Sequence, residues 1–245
     1  ITATDTRSFA VFLYEARDWD SGFGIEGGAR FERLQHDNID VGETEFDLFS
    51  ASGGVHQHYD SGVFIGAQVS YTERAPNESE LFAFGPHLAT SQFEVGDPSL
   101  DKERGLNLEG TVRWRNDWLT IGANLFATNF SDFIFLTPGT IDEGAGPVDE
   151  ADGLPVFLYS QDDATFTGGE IYGEAIFDGG PLGATWSVKG GLDFVNAELD
   201  NGGNVPFVPP LSLTADAKAA WRLFEIGAGI EWAGDQDEPG IGQLP

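Results

Sequence analysis

Between Leu106 and Thr128 the chain reads Leu-Asn-Leu-Glu-Gly-Thr-Val-Arg-Trp-Arg-Asn-Asp-Trp-Leu-Thr-Ile-Gly-Ala-Asn-Leu-Phe-Ala-Thr. Leu106, Leu108, Gly110, Val112 and Trp114 alternate with Asn107, Glu109, Thr111, Arg113 and Arg115. After a short Arg-Asn-Asp turn, Leu119, Ile121, Ala123, Leu125 and Ala127 alternate with Thr120, Gly122, Asn124, Phe126 and Thr128. Side chains of a strand point to opposite faces in turn, so this is a β-hairpin with one apolar and one polar face. Leu211–Trp221 and Phe224–Trp232 repeat the pattern, with Asp216, Lys218, Glu225 and Glu231 on the polar side.

Ten such segments are expected, near 7–19, 23–34, 45–58, 62–74, 103–115, 118–136, 157–177, 183–199, 210–222 and 224–234. Several exceed the roughly 5–6 residues of a typical soluble strand and reach the ~9–11 that a tilted membrane strand needs. Their connections fall into two classes. Short turns are expected at 18–22, 59–62, 115–117, 178–181 and 222–223, and long polar loops near 35–44, 75–102, 137–156 and 200–209. Trp19, Tyr59, Trp114, Trp118, Trp186 and Trp221 all lie near the short turns, where an interfacial aromatic girdle belongs. A soluble sandwich or solenoid with one wet face accounts for the alternation. It does not account for strand length, two loop classes and clustered Trp together. The expected fold is therefore all-β: a segment of an antiparallel transmembrane β-barrel.

Composition narrows the function. Of 245 residues, 41 are Asp or Glu and 12 are Lys or Arg, a net charge of -29. Nucleic acid is excluded as a partner, because its binding rests on basic residues neutralising phosphates. Without Cys there is no disulfide, thiolate metal site or Cys nucleophile. The longest apolar run, Phe9–Tyr14, is far shorter than the ~20 residues of a membrane helix. A barrel is the remaining way across a bilayer. The start, Ile1-Thr2-Ala3-Thr4-Asp5, has no initiator Met and no signal-peptide pattern, so it reads as an internal cut or a processed end.

Tyr71–Glu109 contains Arg74-Ala75-Pro76 and Gly96-Asp97-Pro98-Ser99-Leu100-Asp101-Lys102-Glu103. These stretches resemble the barrel of TonB-dependent outer-membrane receptors, where an Arg-Ala-Pro strand end leads into a long loop and a Gly-Asn/Asp-Pro-x-Leu-x-x-Glu stretch opens the next strand. Gly85-Pro86-His87-Leu88-Ala89-Thr90 looks like the branch that contains zinc-uptake receptors, and Val205-Pro206-Phe207-Val208-Pro209-Pro210 resembles the lead-in to a late strand. The resemblance implies the outer membrane of a Gram-negative bacterium and a barrel of roughly 22 strands. It also implies transport of a scarce nutrient such as zinc or an iron-siderophore, driven by TonB–ExbB–ExbD through a plug domain. Residues 1–245 would then be a partial barrel domain lacking the plug and the last strands. Two further readings are a passive porin or structural barrel, and a compact ten-stranded outer-membrane protease.

Candidate residues follow from loop chemistry. His87, Glu94 and Asp97, in one long loop, supply the imidazole and carboxylates that suit Zn²⁺. The acidic loop carries Asp142, Glu143, Asp149, Glu150 and Asp152 without Lys or Arg, a field that concentrates cations and suits Ca²⁺. No cofactor and no catalytic residue are expected beyond such a bound Zn²⁺ or Ca²⁺ ion. His56 and His58 share a strand face but sit beside a short turn, as interfacial polar residues do. Gly22-x-Gly24-x-x-Gly27 leads into a strand rather than a helix, so it is not a dinucleotide site. Asp235-x-Asp237 begins like an EF-hand but places Pro239 at a ligand position.

Overall fold

The computed structural model describes residues 3–142, 144, 146–236 and 239–240. Among them, ten long strands form one sheet in chain order. They are β1 (Thr4–Asp18), β2 (Phe23–Asn38), β3 (Gly42–His58), β4 (Val63–Arg74), β5 (Glu103–Arg115), β6 (Leu119–Pro138), β7 (Leu154–Phe177), β8 (Thr185–Leu199), β9 (Ser212–Trp221) and β10 (Phe224–Ala233). Every neighbouring pair is antiparallel. β1 and β10 stand at opposite ends of this order and are not paired with each other among the described residues.

The register carries each strand's apolar face across the whole sheet, because directly paired residues point the same way. One row runs Ala29, Ala51, Tyr71, Leu106. Another runs Ile65, Val112, Ala123, Ile171, Leu192, Leu213 and Trp232. Large side chains of these rows are exposed: Ile65 48%, Ile171 51% and Trp232 52%. The opposite face carries Glu26, Gln68, Glu109, Arg113, Asn124, Glu170, Glu174, Lys189, Asp216 and Lys218, with Lys189 paired to Glu174 at 3.1 Å. A continuous exposed apolar face would drive aggregation in water and is what a bilayer requires. On β1 the apolar row Phe9, Val11, Leu13 gives way to Glu15 and Arg17 towards the short turn, which marks its lower limit.

The six aromatic residues expected at the short-turn end are there, and three of the Trp fasten the turns. The indole N–H of Trp114 donates to the Ser61 carbonyl (3.2 Å), Trp186 to Pro181 (3.1 Å) and Trp221 to Leu182 (3.0 Å). An amphipathic ring with a satisfied N–H suits the headgroup level.

The long-loop end departs from expectation. The loop expected near 35–44 shrinks to residues 39–41, since β2 and β3 pair up to Asn38↔Gly42. Gln35–Asn38 are polar because this part of the hairpin stands beyond the lipid, not because it lacks partners; His36 and Asn38 are 2% and 1% exposed. β7, with 24 residues at ~3.3 Å each, likewise far exceeds the ~25 Å apolar band.

Residues 75–102 are folded. They contain a short helix, α1 (Glu78–Phe82), and a hairpin of Phe84–His87 with Gln92–Val95. Gln92–Val95 region residues also pair in parallel with β7, as Phe93↔Val156, Glu94↔Phe157 and Val95↔Leu158. The buried cluster lies here, on the polar side of the sheet: Phe46 and Leu48 from β3, Leu81 and Phe82 from α1, Leu100, and Ile134 from β6, with Tyr159 packed against them. A second cluster joins Phe135, Ala164, Ala197 and Leu199 to Val205 of the Val205–Pro210 stretch.

Candidate functional site

Arg74 anchors the long-loop end. At the end of β4 it faces Glu103, the first residue of β5. Its guanidinium donates to Glu103 Oε2 (3.1 Å) and Glu80 Oε2 (2.8 Å). Both carboxylates are nearly buried, and the guanidinium gives each of them a charged hydrogen-bond partner there. Glu80 also closes a capping box. The Asn77 side chain accepts from the Ser79 and Glu80 N–H groups, while Glu80 Oε2 accepts from the Asn77 N–H at 2.7 Å. One cation thus ties two strands to the entry of the folded loop. The sequence motif contained this arrangement, since Asn77 followed three residues later by Glu80 is a helix-start signal.

Beside it, the Thr6 hydroxyl donates to Glu78 Oε1 and lies 2.9 Å from His36 Nδ1, and His36 Nε2 donates to the Pro76 carbonyl at 3.1 Å. The Thr6 hydrogen bond, the helix-end backbone N–H and the nearby His36 hold the Glu78 carboxyl below the usual carboxylate range.

The hairpin brings together two of the three residues expected to bind metal. His87 Nδ1 lies 2.7 Å from Glu94 Oε1, and Thr90 Oγ1 donates to the same oxygen at 3.2 Å. Tyr159 donates to Glu94 Oε2 at 3.1 Å from β7. The Glu94 side chain is 7% exposed and that of His87 54%. Asp97 is not with them. Its Oδ1 accepts from the Ser99 N–H (2.8 Å) and hydroxyl (2.6 Å), and its N–H donates to the Glu80 carbonyl. Asp97 therefore shapes the turn before β5. Among the described residues, no three His, Cys, Asp or Glu side chains form a metal-ligating group.

The acidic loop is also partly ordered. Ile141–Asp142 pairs with Pro147–Val148, and Glu150–Ala151 with Leu154–Pro155. Asp142 Oδ1 accepts from the Gly144 N–H at 2.7 Å, Asp149 accepts the Val156 N–H through its carbonyl, and Asp152 has φ +51 at a hairpin tip. Glu143 lies outside the described residues, as do Asp237 and Glu238. At the opposite end, His56 Nε2 is occupied by Asp18 Oδ1 at 2.8 Å, and His56 and His58 pack on Phe64. They form an aromatic rim.

The chain matches the family described as "TonB dependent receptor-like, beta-barrel" over residues 1–243. It belongs to that family. Members of this receptor family reside in the outer membrane of Gram-negative bacteria, which accounts for the apolar face; receptors of this kind are not enzymes. Solved structures with the same fold include one titled copper transporter OprC, with TM-score 0.78 and 16% identity, covering 96% of this chain and 35% of that one. The ferric-catecholate import receptor Fiu of K12 E. coli gives 0.64 and 17%, covering 94% and 34%. The FrpB iron transporter of Neisseria meningitidis gives 0.63 and 12%, covering 93% and 33%. This chain therefore spans about a third of the length of these receptors. The ten-stranded protease reading fails on family membership, and on ten strands that do not close on themselves among the described residues.

Proposed function

We propose that this wall segment belongs to a receptor that carries a metal ion or metal chelate across the outer membrane, energised by TonB–ExbB–ExbD acting on a plug. The observation that carries the reading is the division of faces. A polar wall with Glu26, Glu109, Glu170 and Asp216 lies behind a lipid-compatible face, and the wall is roofed at its long-loop end by packed loops. Such a wall suits a wet conduit that opens to a binding surface. Similarity to receptors whose titles name copper and iron supports metal cargo as a class. Zinc is a finer form of the same reading. Residues 1–245 would be a partial barrel domain, with the plug and the remaining strands in other parts of the receptor.

Uptake of a radiolabelled metal chelate by cells expressing the full receptor, with and without TonB, tests the proposal. Loss of receptor-dependent uptake without TonB is expected. Uptake unchanged by that deletion would replace energised transport with a passive porin.

A further inference from the structure

We infer that His87 and Glu94 are not co-ligands but a positioned single-imidazole acceptor, with Glu94 orienting His87 so that Nε2 alone coordinates a coordinatively unsaturated divalent metal chelate. This deepens the proposed function and rests on metal as the cargo class. The buried carboxylate is already committed: Oε1 to His87 Nδ1 and the Thr90 hydroxyl, and Oε2 to the Tyr159 hydroxyl. With a carboxylate acceptor at 2.7 Å, Nδ1 is the nitrogen that carries the proton and donates. Nε2 is then the nitrogen with the available lone pair, and it has no hydrogen-bond partner among the described residues. Half of the His87 side chain is open to solvent while Glu94 is nearly buried. An N–H-to-carboxylate bond behind an outward imidazole nitrogen is how metal-binding histidines have their tautomer and orientation fixed.

The hairpin supplies the rigidity. His87 pairs with Gln92 on one side of it, Glu94 with Gly85, and Glu94 again with Phe157 of β7. Tyr159 packs into the cluster on the polar side of the sheet, which places the dyad at the mouth of the wall rather than on its lipid side. One nitrogen cannot hold a bare ion by itself. It can complete the sphere of Cu²⁺, Ni²⁺ or Zn²⁺ whose other positions the cargo's own chelator fills, since imidazole suits these ions. A ferric ion already saturated by six chelating oxygens offers it no position, and Ca²⁺ prefers oxygen.

The test is titration of the purified full receptor with Cu²⁺–nitrilotriacetate, which leaves open positions for imidazole. Binding is followed by the nitrogen coupling in its electron paramagnetic resonance spectrum. A His56→Gln, His58→Gln background removes the pair at the opposite rim. In that background His87→Gln should abolish one high-affinity component. Glu94→Gln keeps its size and its Tyr159 bond, and should weaken that component 10- to 100-fold. Asp97→Asn should leave it unchanged. An unaltered component in His87→Gln would overturn the inference. Loss in His87→Gln with full affinity in Glu94→Gln would remove the orienting role of Glu94. Neither result depends on TonB, so failure here and failure of energised transport are read separately.

Discussion

Arg74 shows how much a single side chain holds at the long-loop end. Its two carboxylate partners come from a helix entry and the next strand, and both are nearly buried. Breaking a fully buried pair costs about 3–5 kcal/mol. Because part of the guanidinium meets water, Arg74→Ala is expected to cost about 2 kcal/mol, felt as faster protease cleavage between residues 75 and 102. Arg74→Lys should rescue little, since an ammonium cannot span Glu80 and Glu103 as a planar fork does. Glu78 makes the same end sensitive to acid. Its carboxyl is held below the ordinary value of 4.5, so its contribution is fully present above about pH 4.5 and lost as pH falls through the lower, folded value. Hydrogen exchange of residues 76–83 should quicken over that window in the native receptor. The effect should be absent in Glu78→Gln.

The elements were legible in the sequence to different degrees, for physical reasons. All ten strands followed from the period-2 alternation, because a bilayer on one side and water on the other impose it at every position of the apolar band. Beyond that band the constraint lifts, and β2, β3 and β7 continue through sequence that looks like loop, as at Gln35–Asn38. Helix α1 was also missed, although Asn77 and Glu80 carried its capping signal; Asn77→Ala should cost about 1 kcal/mol. At the site, the sequence grouped His87, Glu94 and Asp97 by proximity along the chain. Only the hairpin register separates the pair that meets from the Asp that turns away. The short turns impose a sharper demand. Gly62 sits at φ +85, and a Cβ there would press into the Arg115 carbonyl, whose own N–H donates to the Gly62 carbonyl. Gly62→Ala should lower the yield of folded, heat-resistant barrel, whereas Gly110→Ala, with open space around it, should not.

At the scale of the whole molecule, ten strands of one sheet present two unlike faces, one apolar and one polar. A charge placed on the apolar face at mid-height should cost about 2–4 kcal/mol in a bilayer. Leu108→Arg is expected to impair folding into lipid vesicles, and Thr111→Arg, three residues along the same strand on its polar face, to fold normally. The most direct measurement starts from a receptor in which any Cys outside this Cys-free segment has been replaced. Single cysteines at 106 to 113 of β5 would be spin-labelled in the full receptor in bilayers, and their collision rates with oxygen and with a water-soluble nickel complex compared. Positions 106, 108, 110 and 112 should favour oxygen, and 107, 109, 111 and 113 nickel, with a strict period of two. Equal access of the nickel complex to both sets, or the reverse alternation, would contradict a membrane wall with a polar lumen.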